Sequence, residues 1–124
     1  MNSLLQKLET RACRSPESIV LETADRAVNI SEFLALLQEV TFTLKAGGFQ
    51  TVALYADNSP EWVVVDLACQ MQGICLVPLP TFFSFPQLSH VLRSAGIDLL
   101  IYQEGLDQCI PGNVTVGGAE FSLF

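Results

Sequence analysis

Charged side chains are scarce in this sequence, and basic ones are the scarcest. Only 15% of the 124 residues are charged, and six Lys and Arg stand against thirteen Asp and Glu, which gives a net charge of −7. Proteins bind a phosphate backbone through a surplus of basic side chains and the counterions that these displace. The charge balance therefore argues against direct nucleic-acid binding.

Residues and loops that commonly carry chemistry are also largely missing. His90 is the single histidine, and it falls on the outer face of a predicted helix, with no Ser or Cys placed as a nucleophile by a recognisable motif. Neither G-x-G-x-x-G nor G-x-x-x-x-G-K-[ST] occurs, so the two commonest phosphate-binding loops are absent. We predict no catalytic residue and no metal ligand in this chain.

The cysteines follow no functional pattern. They are Cys13, Cys69, Cys75 and Cys109. Their spacing makes neither a C-x-x-C pair nor a Cys/His zinc site. We interpret them as small buried hydrophobic residues in a reducing compartment, and the spacing leaves a disulfide between Cys69 and Cys75 open.

The sequence contains no clear targeting or membrane segment. No basic stretch leads into an apolar stretch at the start of the chain, so export is not indicated and we expect a cytoplasmic protein. The apolar stretch from Trp62 to Phe85 is long enough to span a bilayer. Pro78 and Pro80 break it, together with Gly73, so we expect a helix followed by a strand and no transmembrane segment.

Helical and strand-like patterns alternate along the chain. Residues 1–16 predict an N-terminal amphipathic helix, and residues 18–30 predict a small antiparallel hairpin. The expected strands that follow cover 51–56, 74–79 and 98–102. The expected helices cover 29–47, 60–72 and 84–96, and each begins with a capping signal.

This alternation predicts a three-layer α/β fold with a mainly parallel sheet, because connections this short imply right-handed crossovers. We expect one domain over residues 1–124, with a weakly defined end at 103–124. Half of the residues are hydrophobic and the mean hydropathy is +0.41. Apolar surface of this extent predicts a partner, either a second copy in a homodimer or the remainder of a larger protein.

Several segments follow one another in a recognisable order. The run from Val52 to Trp62 places a strand before an N-S-x-E-[FW] helix start, and Gly73–Leu79 continues into a V-P-L strand. Residues 87–101 are similar to a helix of the form E-L-x-x-[IV]-L-x-x-[ST]-[GA] and the strand after it, and 29–33 are similar to a T-Y-x-E-L helix opening. From about Ile19 to Ile101 the chain thus resembles the N-terminal region of AMP-binding, adenylate-forming acyl-CoA synthetases.

The resemblance implies a two-step ligase. A carboxylate attacks the α-phosphate of ATP to give an acyl-adenylate, and a thiol, usually that of coenzyme A, then displaces AMP. The full-length enzyme is expected to use ATP, Mg²⁺ and coenzyme A, with a fatty acid as the substrate class. The family's phosphate loop, adenine contacts, hinge and C-terminal lid lie beyond the matched segments, so no catalytic residue carries over to this chain.

The resemblance therefore implies a scaffold portion, inactive and without a cofactor on its own, whose partner is the remainder of the parent enzyme. The alternative is a non-catalytic α/β interaction module derived from such an enzyme. A small independent nucleotide-binding protein is a third interpretation, and it needs a phosphate-binding loop that this sequence lacks.

The loop after the V-P-L strand departs from the family pattern. Where many relatives read V-P-L-N-P-R-L, this chain reads V-P-L-P-T-F-F, and Phe82 replaces an arginine that contacts coenzyme A phosphate in some relatives. We predict that Thr81, Phe82 and Phe83 form an acyl-binding or interface loop. Residues 57–60 also lie at the end of a predicted strand, and we interpret them as a helix cap.

Overall fold

A parallel sheet forms the centre of the structure, a computed structural model that describes residues 3–103, 106 and 119–122. The helices are α1 (Ser3–Arg14), α2 (Ile30–Gly47), α3 (Pro60–Gln72) and α4 (Phe85–Ser94). The strands are β1 (Ile19–Glu22), β2 (Ala27–Asn29), β3 (Thr51–Tyr55), β4 (Cys75–Leu79), β5 (Leu99–Tyr102) and β6 (Ala119–Ser122). The predicted succession of elements up to residue 102 is confirmed.

The four-stranded sheet has the order β4-β3-β5-β6, and every neighbouring pair in it is parallel. Strands β1 and β2 form the predicted antiparallel hairpin. Strand β6 lies within the end that we expected to be weakly defined, and the rest of 107–124 falls outside the described residues.

The sheet is covered on both faces. Val52 and Leu54 of β3 belong to the core that α2 and α3 complete. Ala53 and Tyr55, which alternate with them, belong to a second core under α4. Because successive side chains of a strand point to opposite faces, this division confirms the three-layer α/β architecture.

The helix starts depend on local capping, as predicted. The Asn29 side chain accepts a hydrogen bond from the backbone N–H of Glu32, whose carboxylate accepts one from the backbone N–H of Asn29. Ser84 and Gln87 make the same reciprocal pair at the start of α4. Such caps satisfy backbone donors that have no partner within the helix.

The N-terminal elements attach to the α2 and α3 face. Leu5, Leu8 and Ala12 of α1 pack against the core there. The hairpin is joined to α3 by an ion pair of 2.7 Å between Arg26 and Glu61. In the part of the chain that the structure describes, no helix is both long enough and apolar enough to cross a membrane.

The interpretation of the cysteines as buried residues is wrong for two of them. Cys69 is fully buried in α3, whereas Cys13 and Cys75 are exposed. All three are free thiols, so the disulfide left open between Cys69 and Cys75 does not form. Cys75 is exposed because β4 lies at the edge of the sheet, which its apolar sequence does not reveal. Cys109 lies outside the described residues.

Candidate site at the carboxyl edge of the sheet

The connections after β3 and β4 leave the sheet on opposite faces. The chain passes from β3 into α3 on one face, and from β4 into α4 on the other. From β3 the chain winds to β4 on one side, and from β4 it crosses back past β3 to β5 and then to β6. The direction of winding therefore reverses between β3 and β5, which are neighbours in the sheet. Open α/β sheets usually bind ligands in the crevice at such a point.

Two hydrogen bonds join the neighbouring strand ends at this edge, and the second of them spans the point between β3 and β5. The Thr81 hydroxyl, after β4, donates to Asp57 Oδ1 after β3 at 2.8 Å. The backbone N–H of Asp57 donates to Oε1 of Gln103, after β5, at 3.0 Å. The backbone N–H of Gln103 in turn donates to the carbonyl of Tyr55 at 3.0 Å. One network therefore joins the carboxyl ends of three strands.

The sequence interpretation identified Thr81 but missed its partner Asp57, and it also missed Gln103, the partner of the Asp57 backbone. Asp57 had been assigned to a helix cap, and the cap itself is real, because the Ser59 hydroxyl accepts a hydrogen bond from the backbone N–H of Trp62 at 3.2 Å. The available signal was positional, since all three polar residues stand within two positions of the end of a parallel strand.

The predicted loop residues point in different directions. Phe82 is 84% exposed, whereas Phe83 is half-buried and packs against the core under α4. Their rings meet edge to face with centroids 5.9 Å apart. The loop is a tight turn, in which the backbone N–H of Phe83 donates to the carbonyl of Pro80 at 3.1 Å. Thr81, Phe82 and Phe83 therefore form a compact turn with one outward aromatic ring.

An open apolar groove lies beside this turn. It has a volume of about 390 Å³ and is lined by Phe83, Pro86, Gln87, His90 and Val91. His90 is exposed, as its helical position predicted. A groove of this kind contacts apolar groups and has few polar atoms to orient a reaction.

The electrostatics of the described residues do not prepare a nucleophile. Burial, together with the nearby Asp66 and Cys75, which disfavour a further negative charge, raises the pKa of the Cys69 thiol to about 11. A thiol with a pKa this high stays protonated near neutral pH and is a poor nucleophile. Cys69 therefore acts as a core residue.

The same residues offer little to a metal ion. Across residues 3–103, 106 and 119–122, no three His, Cys, Asp or Glu side chains gather where a metal ion could sit. At the carboxyl edge Asp57 already accepts the Thr81 hydroxyl. Magnesium is bound by oxygen ligands in octahedral geometry, usually with substrate phosphates, and this edge does not fit that requirement.

The relation to known proteins agrees with this architecture. A family model described as "AMP-binding enzyme" matches residues 8–118. The chain belongs to this family. It is 29% identical over 109 residues to phosphinothricin tripeptide synthetase PhsC of Streptomyces viridochromogenes. The aligned residues cover 86% of this chain and 10% of that relative. It is 35% identical over 82 residues to human long-chain-fatty-acid–CoA ligase 6, covering 64% of this chain and 11% of that enzyme.

Solved structures of other proteins share the fold. The N-terminal domain of FACL13 from Mycobacterium tuberculosis superposes with a TM-score of 0.75 at 22% identity, over 98% of this chain and 33% of that one. The anthranilate CoA ligase AuaEII, in complex with anthranoyl-AMP, gives a TM-score of 0.77 at 22% identity, over 97% of this chain and 25% of that one. The predicted N-terminal acyl-CoA synthetase fold is therefore confirmed.

The chain spans about a tenth of the length of the curated relatives it matches. Those relatives include both a CoA ligase and a peptide synthetase. The comparisons therefore show membership of the AMP-binding family, and they assign neither an acid nor a thiol acceptor to this chain.

Proposed function

We propose that this chain is the N-terminal scaffold portion of an ATP-dependent adenylate-forming ligase, and that it is inactive without the remainder of that enzyme. The family match over residues 8–118 carries the proposal. The layered sheet supports it, because a stable α/β slab holds loops in place without itself supplying reactive groups.

On this proposal ATP, Mg²⁺ and the thiol acceptor bind mainly through polypeptide that this chain does not include. The polar residues at the carboxyl edge are occupied with one another: Asp57 with Thr81 and Gln103. Their role is then to fix the geometry of the edge against which the rest of the enzyme packs. No chemical step is assigned to them.

A direct test compares this chain with the full-length enzyme. We expect isothermal titration of the 124-residue chain with ATP, AMP and coenzyme A to give no binding heat, and no acyl-adenylate to form in its presence. The full-length enzyme is expected to release pyrophosphate from ATP when a carboxylic acid is added. Acyl-adenylate formation by the isolated chain contradicts the proposal.

We further propose that the acid is a fatty acid and that Phe82 and Phe83 contribute to its passage. The support is the outward ring of Phe82, the apolar groove beside it, and the identity of 35% to a long-chain-fatty-acid–CoA ligase. Apolar walls of this kind suit an alkyl chain, whose binding grows with buried apolar area. Coenzyme A as the acceptor belongs to the same proposal.

The substrate class is tested in the full-length enzyme by measuring pyrophosphate release with fatty acids and with amino acids. Phe82→Ala is expected to raise the KM for a long-chain acid several-fold while leaving the KM for ATP unchanged. Phe42→Ala is the matched control, since Phe42 is also a strongly exposed phenylalanine, 75% accessible, but lies on α2. A preference for amino acids, or equal effects of both variants, contradicts the assignment.

The interaction module derived from such an enzyme remains the second candidate. The observation that favours it is the number of exposed apolar side chains, which include Ile19 at 50% and Phe85 at 53% accessible. It requires a stable complex with another protein and a parent without ligase activity. No observation supports the homodimer that the apolar composition suggested.

A further inference from the structure

Strand β4 lies at one end of the sheet and pairs only with β3 among the described strands. Cys75 and Pro78 of this strand are exposed. The free side of an edge strand is a template for another strand, and proteins with exposed edges commonly protect them against unwanted pairing. Addition of a strand here depends on the backbone N–H donors that β4 presents on its free side.

The hydrogen bonds between β4 and β3 show which backbone amides of β4 point inward. The backbone N–H of Cys75 donates to the carbonyl of Gln50 at 2.9 Å, so the amide of Cys75 points toward β3. Amides of successive residues in a strand point to alternate sides. Val77 and Leu79 stand two and four positions further along the same strand, so they also direct their amides toward β3.

The outward positions are consequently Leu76 and Pro78, followed in the same phase by Pro80 just after the strand. Proline has no backbone N–H and cannot donate to a neighbouring strand, which is why it is tolerated at sheet edges. Leu76 is thus the one residue of β4 with an outward amide donor.

We propose that Pro78 and Pro80 close the β4 edge to strand addition, so that neither a second copy of this chain nor another strand extends the sheet at this side. An added strand would find one donor where a regular edge of this length offers donors at every second residue. The inference concerns the free edge of the sheet and holds whether or not the proposed ligase activity is correct.

The first test restores the missing donors. The variant Pro78→Val with Pro80→Thr supplies two outward N–H groups and β-prone side chains. Sedimentation velocity over a concentration series is expected to show self-association tightened by roughly 5- to 150-fold relative to the wild-type chain, since each net hydrogen bond contributes a few-fold to about tenfold. Circular dichroism verifies that the variant is folded.

Cys75→Val is the matched control. It adds an apolar β-branched side chain at an exposed position of the same strand, but its amide already points to β3. It is expected to remain as dissociated as the wild-type chain. If this control associates as strongly as the double variant, or if the folded double variant stays as dissociated as the wild type, the proposal is wrong.

A second measurement uses the unaltered chain and does not depend on any variant folding. In hydrogen exchange followed by NMR, the amide of Leu76 is expected to exchange far faster than those of Cys75 and Val77, because only the latter two bond to β3. Protection of the Leu76 amide equal to theirs shows that a strand occupies the edge and overturns the proposal.

Discussion

Asp98 provides the sharpest test of how the sheet is held together. Its carboxylate, one residue before β5, accepts hydrogen bonds from the backbone N–H groups of Gln50 and Thr51 at 2.9 and 3.0 Å. Its own backbone N–H donates to the carbonyl of Thr51 at 2.8 Å. Asp98→Ala removes the two side-chain bonds and leaves the backbone bond in place.

The expected cost follows from the surroundings of the two donors. A hydrogen bond to a charged group contributes about 1.5–3 kcal/mol. The bond to Gln50 is exposed, so water replaces most of it, whereas the bond to Thr51 is partly buried. We therefore expect Asp98→Ala to lower the free energy of unfolding by about 2–4 kcal/mol, a large share of the ~5–15 kcal/mol that a domain has. Both bonds go to the same oxygen, Oδ2, whose place the amide oxygen of Asp98→Asn takes. This variant is expected to recover about half of the loss, because an uncharged acceptor makes weaker hydrogen bonds.

Urea unfolding monitored by the fluorescence of Trp62, the single tryptophan, measures the change. Asp25→Ala serves as the control, because Asp25 accepts a hydrogen bond from the Thr23 hydroxyl in an exposed turn, and its loss is expected to cost less than ~0.5 kcal/mol. If Asp98→Ala falls within the range of this control, the carboxylate does not hold the strands as described.

Three further predictions concern the cap, the aromatic turn and the cysteines. Ser59→Ala removes the cap of α3 and is expected to cost about 1 kcal/mol in the same unfolding assay, so an unchanged midpoint contradicts it. Phe83→Ala is expected to lower the free energy of unfolding by about 1–3 kcal/mol and Phe82→Ala by less than ~0.5 kcal/mol, because only the Phe83 ring packs on the core. Equal losses in the two variants refute this. Iodoacetamide at neutral pH is expected to label Cys75 and to spare Cys69 until the chain unfolds, as mass spectrometry of the peptides will report. The pKa of Cys69 rises from 9.0 to about 11 on folding. The stability that this pKa difference contributes is fully present below pH 9 and is lost as the pH rises toward 11. Tm should therefore fall over that window, and it should fall less in Cys69→Ala.

Much of the fold is predictable because its signals are local. The cap of α3 needs only Ser59 and Pro60, and the reciprocal cap of α2 needs Asn29 and Glu32, three residues apart. Hydrophobic periodicity likewise depends on neighbours within a few positions. Each of these was therefore readable along the chain without knowledge of the tertiary arrangement.

Strand order was not readable in this way. The runs that become β4 and β5 are both short and apolar, and both were expected as strands of one parallel sheet. Only the three-dimensional arrangement makes β4 an edge strand, in which Cys75 is exposed, while β5 lies between β3 and β6. Burial in a sheet depends on neighbours that are distant in sequence.

The candidate site was also only partly predictable, because its contacts join residues that are distant in sequence. The sequence grouped Thr81, Phe82 and Phe83 as neighbours, but their surroundings differ: the first bonds to Asp57, the second faces solvent and the third packs against the core. The partners Thr81 and Asp57 are 24 residues apart, and no local pattern joins them. Assignment of this loop to acyl binding or to an interface stays a prediction.

The central place of β3 has a consequence for assembly of the sheet during folding. Thr51 pairs with Cys75, 24 residues onward, and Val52 pairs with Leu99, 47 residues onward. Doubling the length of a closed loop adds only about 0.6 kcal/mol of entropic cost. The two sides of β3 are therefore almost equally accessible to an incoming strand, and side-chain contacts, more than chain length, decide which of β4 and β5 docks first.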